Sequence, residues 1–290
     1  MKILLPDSVI FNLDCTLCCG QTFRWEKRAV WWYGIVRDRV LRIRQTGNQL
    51  EFEGASEPFI TTYFGLNDDL PRVYREIGKD EHIRTAIEAF RGLRILRQDP
   101  WECLVSFICA SYKNIAAIRR MLHELSMKYG GQIRFEGYAF HAFPTIDTLA
   151  GATVEDLRKC DLGYRADYVS RTAKKIRETD YDFESLKKKG YSQAKEELLQ
   201  FSGVGKKVAD CVLLFSLGKL EAFPVDVWIK RAAMGHYSSR FSEEFIRRLQ
   251  DEKGLSDTDY EKLNYFGRQY FGSFAVYAQE YLYACERSQG

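Results

Sequence analysis

The residues best suited to chemistry fall in one stretch, Glu196 to Ala233, which reads EELLQFSGVGKKVADCVLLFSLGKLEAFPVDVWIKRAA. A helix is predicted to end near Phe201, a Gly-Val-Gly hairpin spans Gly203 to Gly205, a second helix starts at Lys206 or Lys207, and a loop closes on Pro224-Val225-Asp226. Gly203 and Gly205 permit backbone conformations that side chains forbid, so two short helices can meet with their connecting N–H groups exposed. Such a turn seats a phosphate, which makes Gly203, Gly205 and the adjoining Lys206 candidate backbone contacts. Lys207 falls in the first helical turn, where the helix dipole and Lys206 both disfavour its protonated form. An amine held partly neutral is a nucleophile. Asp226, ahead of the apolar-periodic run Val227 to Ala233, takes the place of a helix N-cap whose carboxylate stays ionised. Together, amine and carboxylate can displace a leaving group at a sugar carbon, forming an imine while the carboxylate offsets the developing positive charge. The same residues also fit a plainer reading, a hairpin that only grips DNA and an aspartate that only caps.

The rest of the chain must hold these groups. Its 290 residues suffice for two or three compact units, and 46% hydrophobic with 29% charged residues is the balance of a globular protein. Lysine and arginine number 43 against 40 acidic residues, so a nucleic-acid partner requires the basic groups to be gathered on one face. Short alternating runs at Thr22 to Trp25, Trp31 to Val36, Val40 to Arg44 and Leu50 to Phe52, with turn signals at Asp38-Arg39 and Gly47-Asn48, predict an antiparallel sheet. Helical patterns follow around Pro58 to Gly65, Leu70 to Ile77 and Asp80 to Arg91, placed to cover a sheet face. From Asp99-Pro100 the pattern is helical almost throughout, through Ala110, then Asn114 to Tyr129, 153–159, 164–177, 192–201, 206–217, 227–234, 242–249, 257–266 and 272–285. The expected architecture is α+β: an N-terminal antiparallel sheet domain with covering helices over 1–97, and a mostly helical two-subdomain body over 98–290 with a helix-hairpin-helix at 192–217.

Other residues could line a base pocket. Cys211 lies one helical turn after Lys207 and faces the same way, although a small buried core residue is the simpler reading. Gln279 and Tyr283 are one turn apart on the last helix, offering an amide edge and a stacking ring, or merely a core stripe. Gly20, within Cys19-Gly20-Gln21-Thr22-Phe23-Arg24-Trp25, could bring its carbonyl close to a ligand. Taken together, the Gly-Gln-Thr-Phe-Arg-Trp run, the segment from Phe107 to Ile118, Leu162-Gly163-Tyr164-Arg165, the hairpin with its lysine, the Pro-Val-Asp-Val loop and the Ala-Gln-x-x-Leu-Tyr helix span nearly the whole chain. This set resembles the 8-oxoguanine DNA glycosylases of the eukaryotic type, a branch of the helix-hairpin-helix Gly/Pro-Asp superfamily. In that superfamily a lysine at this place marks members that also cleave the strand as lyases, so the resemblance makes Lys207 the nucleophile and Asp226 its partner. It implies that the Gly20 carbonyl accepts from the N7–H that 8-oxoguanine has and guanine lacks, a test worth about 1–3 kcal/mol when two buried acceptors are opposed. Gln279 reads the Watson–Crick edge by resemblance, and Cys211 and Tyr283 sandwich the ring, tyrosine standing where phenylalanine is usual.

The departures carry expectations of their own. In Ser111-Tyr112-Lys113-Asn114-Ile115-Ala116-Ala117 the family pattern has asparagine at Tyr112 and arginine at Ala117, residues that fill the gap left by the flipped base and read the orphaned cytosine. Arg165 matches the family's second cytosine-reading arginine and Tyr164 its neighbouring wedge. Losing one bidentate arginine removes roughly 1–3 kcal/mol of discrimination, so a relaxed opposite-base preference is expected. Trp228 replaces a histidine just after the Pro-Val-Asp-Val loop. Cys15, Cys18 and Cys19 cluster without a second ligand pair for zinc, and the C-terminal region offers only Cys285, so the iron–sulfur cluster of endonuclease III-like relatives is absent. No metal or other cofactor is expected. The eight cysteines read as reduced thiols of a cytoplasmic protein, nucleoid-associated if prokaryotic, with no signal peptide or membrane span. The expected partner is duplex DNA containing oxidised guanine, bound by a monomer.

Overall fold

Alternating runs near the N-terminus pair as antiparallel strands because each can bury one face while leaving the other polar. A computed structural model describes residues 1–251 and 254–289. Strands β1 (Lys2–Leu4), β2 (Trp25–Arg28), β3 (Trp31–Val36), β4 (Arg39–Thr46) and β5 (Gln49–Glu53) form one sheet in the order β1-β5-β4-β3-β2. Trp32 lies opposite Ile43 and Ile43 opposite Phe52, so the register lines up a buried apolar row across three strands. The helix Glu57–Tyr63 covers that row with Ile60 and Tyr63. A second hairpin, β6 (Gln132–Phe135) and β7 (Tyr138–His141), closes on the opposite face, where Phe140 stacks on Tyr33 with centroids 6.1 Å apart.

Several expectations need correction. Thr22 to Arg24 stay outside the sheet: Phe23 joins the helical core and Arg24 reaches Glu102 at 3.0 Å, contacts that draw this segment away from strand pairing. The helices Leu70–Ile77 and Glu81–Ala89 do not cover the sheet; their apolar faces pack into the helical core with the last helix. Cys15 and Cys18 lie on a short helix, Leu13–Cys18, capped by Asn12. All eight cysteines carry free thiols. β1, the β6–β7 hairpin and the helices Ile146–Gly151 and Phe183–Lys188 were not anticipated, being four to six residues long or shorter, with too few periods to register.

The helical body begins where Asp99 accepts from the amides of Trp101 and Glu102, with Pro100 at the first helical position. Every residue of the helix Pro100–Ala110 except Glu102 is buried, so it runs through the middle of the body. Around it lie Ile115–Tyr129, Arg165–Thr179, Tyr191–Leu198, Lys206–Phe215, Val227–His236, Asp257–Phe271 and Ala275–Gln289. The two parts meet in a dense polar seam. Gln21 accepts from the amide of Leu96, Gln98 N–H donates to the Phe215 carbonyl, and Asp68 takes both Arg97 and the hydroxyl of Tyr277. Fully buried Arg94 donates to the carbonyls of Ile10, Gly65 and Asp68.

Both arms of the helix-hairpin-helix are bound by one buried carboxylate. Asp210 accepts from Tyr191 and Tyr260 hydroxyls at 2.5 Å each and from Asn264 Nδ2 at 3.0 Å, and pairs with Lys195 at 3.1 Å. Burial pushes its carboxyl up, and Lys195 and the two tyrosines oppose this. Truncating one partner strands the other charge, because Lys195 is itself 7% exposed. Asp210→Ala is therefore expected to lower unfolding free energy by about 3–5 kcal/mol, measured by urea denaturation. A loss below about 1 kcal/mol would show that the network does not anchor the hairpin.

Candidate active site

The hairpin backbone needs its glycine where the arms approach. Gly203 has φ +78°, and a Cβ there would lie 2.7 Å from the Tyr168 side chain, so the turn can close only without one. Thr172 Oγ1 donates to the Ser202 carbonyl at 2.9 Å and ties the hairpin to the helix Arg165–Thr179. The first arm ends at Leu198, earlier than expected, and Gly205 is the N-cap of the second, which starts at Lys206. Lys206 is not held free for a phosphate: it pairs with Glu261 at 3.2 Å and donates to the Asp257 carbonyl. A phosphate here exchanges a partly exposed ion pair, an interaction of about 0–1 kcal/mol, for its own contact.

Lys207 is half-buried, its ammonium 5.2 Å from the centroid of Phe107, which in turn stacks on Phe215 and meets Phe23 edge-on. It acts electrostatically on Asp226 without forming a close ion pair with it. Asp226 caps the helix Val227–His236 as expected, accepting from the amides of Trp228 and Ile229 at 3.0 Å each. Burial pushes its carboxyl up; Lys207 first and then the backbone amides pull it back toward the anion. Trp228, standing where a histidine was expected, thus contributes its backbone N–H to this cap.

Cys211 is buried one turn from Lys207, and burial pushes its thiol up to about 12, so it presents a neutral sulfur. Gln279 is 4% exposed with Oε1 unpartnered, an acceptor left open. Gly20 has φ +102°, and a Cβ on it would come within 2.9 Å of the Tyr283 hydroxyl. Only glycine lets this loop close on the last helix. The structure thus brings Lys207, Asp226 and Cys211 within electrostatic reach of one another and Gly20 against Tyr283, which in turn feels Asp226, with Gln279 one turn before Tyr283 on the same helix.

The DNA-contact candidates outside the hairpin, Tyr112, Asn114, Tyr164 and Arg165, form a second group. Tyr112 is 96% exposed with φ +54°, a conformation costly for a large side chain. Asn114 is occupied as an N-cap, accepting from the Ala117 amide at 2.9 Å. Tyr164 is exposed, and the Arg165 guanidinium lies 4.3 Å from its ring centroid. Arg165 is buried, one guanidinium nitrogen donating to the Ser111 carbonyl and tying it to the Tyr112 loop while Nε has no partner. Phe107, Glu280 and Arg287 were missed as site residues. Arg287, one turn after Tyr283, lies 5.3 Å from its ring and donates to the Cys18 carbonyl at 2.5 Å; the spacing on the helix was the available signal.

Residues 105–262 match the family model described as HhH-GPD superfamily base excision DNA repair protein. The chain belongs to that superfamily. Residues 2–104 of this HhH-GPD protein match the model of the 8-oxoguanine DNA glycosylase N-terminal domain. The N-glycosylase/DNA lyase of Saccharomyces cerevisiae is 31% identical, covering 93% of this chain and 82% of its own. A probable N-glycosylase/DNA lyase of Methanothermobacter thermautotrophicus is 32% identical, covering 78% and 73%. The apo 8-oxoguanine glycosylase/lyase of Clostridium acetobutylicum is 33% identical over 98% of each chain, with a TM-score of 0.85. The same bacterial enzyme with duplex DNA carrying cytosine opposite 8-oxoguanine aligns over 100% of this chain and 98% of that one at a TM-score of 0.86.

The cap and the charge of Asp226 are separable. Asparagine preserves the hydrogen bonds to the helix and removes the charge, whereas alanine removes both. Asp226→Asn is expected to keep its melting temperature within about 2 °C while base excision falls on the order of 10²–10³-fold. Asp226→Ala is expected to lose a further ~1 kcal/mol of stability. Equal excision rates for wild type and Asp226→Asn in single-turnover assays would remove the carboxylate from the chemistry.

Proposed function

We propose that this protein is a base-excision-repair DNA glycosylase and abasic-site lyase that removes 8-oxoguanine from duplex DNA, acting as a monomer. The observation that carries the reading is a lysine lying on an aromatic floor and acting on a capped aspartate, with a buried glutamine oxygen left open on the last helix. The Lys207 amine attacks the sugar C1′ of the extruded nucleotide and the base departs. Asp226 offsets the oxocarbenium-like charge, and the imine that forms acidifies the C2′ hydrogen, so that the 3′ phosphate is eliminated. The positive end of the second hairpin helix and its exposed amides hold the backbone phosphates. Gly20 selects the oxidised base through its N7–H, and Gln279 reads the purine edge.

The exposed Tyr112 and Tyr164 rings support a role as wedges that occupy the gap left in the duplex. With Ala117 unable to hydrogen-bond a base, Arg165 is left as one reader where the family pattern has two, and discrimination of the opposite base is weak. No helix among the described residues is long and apolar enough to cross a membrane. Action on chromosomal DNA in the cytoplasm fits the partner chemistry.

Borohydride reduction of a mixture with duplex containing 8-oxoguanine is expected to yield a covalent adduct that Lys207→Gln abolishes. No adduct with wild type would leave only a DNA-gripping fold. Excision opposite each of the four bases is expected to vary by less than about tenfold, the equivalent of roughly 1.4 kcal/mol. A cytosine preference that is strong in the wild type and lost only on mutating Tyr112 would overturn the account of the orphaned-base site.

A further inference from the structure

The last helix carries a group that the chemistry above leaves unused. Glu280 follows Gln279, is 2% exposed, and its Oε1 has no hydrogen-bond partner. A buried carboxyl with an open oxygen disfavours folding, and native structures rarely keep one without a task. The neighbouring Gln279 Oε1 is buried and open as well, so two successive residues of the helix that lines the base pocket end in unsatisfied oxygens.

The titratable and charged groups around Glu280 are those of the pocket. Cys19, next to Gly20, lies near it with its thiol donating to the Thr16 carbonyl; Arg287 acts on it from the same helix, and Lys207 and Asp226 act on it from the hairpin side. Cys211 and Tyr283 in turn feel its charge. Burial pushes Glu280 up to about 7, with Cys19, Arg287 and Lys207 opposing the rise and Asp226 adding to it. Burial raises Asp226 as well, but there Lys207 and the amides of Trp228 and Ile229, each 3.0 Å from its carboxylate, oppose the rise. One carboxylate held by donors and one carboxyl with an open oxygen suit different parts, the first the anion and the second the acid.

We propose that Glu280 is the acid of the excision step, giving its proton to an acceptor atom of the departing purine while Asp226 remains the anion. This rests on the reading of the protein as an 8-oxoguanine excision enzyme. As the C1′–N9 bond breaks, its electron pair leaves with the purine. The lone pair of Lys207 Nζ forms the new bond at C1′, and the Glu280 proton moves to the purine, leaving a neutral base and a carboxylate that water reprotonates. An abasic site has no purine to protonate, so strand cleavage there does not draw on Glu280.

The test measures two steps in wild type and in Glu280→Gln: single-turnover excision from 8-oxoguanine duplex, and cleavage of abasic duplex, each from pH 5.5 to 9. Wild-type excision is expected to fall up to tenfold per pH unit above about 7, the fraction of acid form setting the limb. In Glu280→Gln excision is expected to drop by about 10²-fold and the alkaline limb to vanish, with abasic cleavage falling far less. The raised carboxyl destabilises the fold progressively as pH climbs from its unfolded value near 4.5 through about 7, so the Gln variant should melt higher than wild type at pH 8 but not at pH 4. If the Gln variant folds poorly, Glu280→Asp keeps the acid on a shorter stem and should slow excision while retaining the alkaline limb. The proposal is overturned if the two excision profiles superimpose, or if excision and abasic cleavage fall by the same factor. Absence of a wild-type borohydride adduct on both duplexes instead sinks the excision reading, and this proposal with it.

Discussion

The hairpin depends on a single carboxylate that water does not reach. Asp210 lies three residues after Lys207 and one before Cys211, and its partners come from the first arm, Tyr191 and Lys195, and from the helix Asp257–Phe271, Tyr260 and Asn264. Four donors on one anion fix the rotation of the helix Lys206–Phe215 about its axis. That rotation places Asp210 inward and leaves Lys207 and Cys211 facing the pocket. A purely apolar contact fixes depth but leaves rotation softer, because hydrophobic contacts are non-directional.

Three buried or half-buried carboxyls near the hairpin show how surroundings set the role of one chemical group. Asp210 is saturated with donors and is structural. Asp226 is held by two amides and the field of Lys207, which leaves an oriented anion next to the nucleophile. Glu280 has an oxygen with no partner, and burial pushes it up to about 7. Burial raises all three; what differs is the number and charge of the donors each one finds.

The pocket is assembled across the seam between the sheet unit and the helical body. Gly20 comes from one side, and Gln279 and Tyr283 from the other end of the chain. Their approach is held by the Arg287 bond to the Cys18 carbonyl, by Tyr277 on Asp68 and by Tyr281 on the Leu93 carbonyl. Polar seams of this kind fix distance and direction together, as reading one N–H on a base requires.

Much of this was legible along the chain. The glycines of the hairpin, the lysine at the start of its second helix and the aspartate ahead of Val227 are local features whose meaning is set by neighbours within a few residues, as are the Asp99 and Asn114 caps. The main strands and long helices announced themselves through several periods of alternation. The sequence alone did not tell that Thr22 to Arg24 leave the sheet for the helical core, that Lys206 is taken by Glu261, or that Arg165 is bound to Ser111. Nor did it single out Glu280, which along the chain is an ordinary charged residue one position after a glutamine. Those outcomes depend on partners tens to hundreds of residues away, and whether a charge finds a donor, a rival or nothing is settled only when the chain has closed around it.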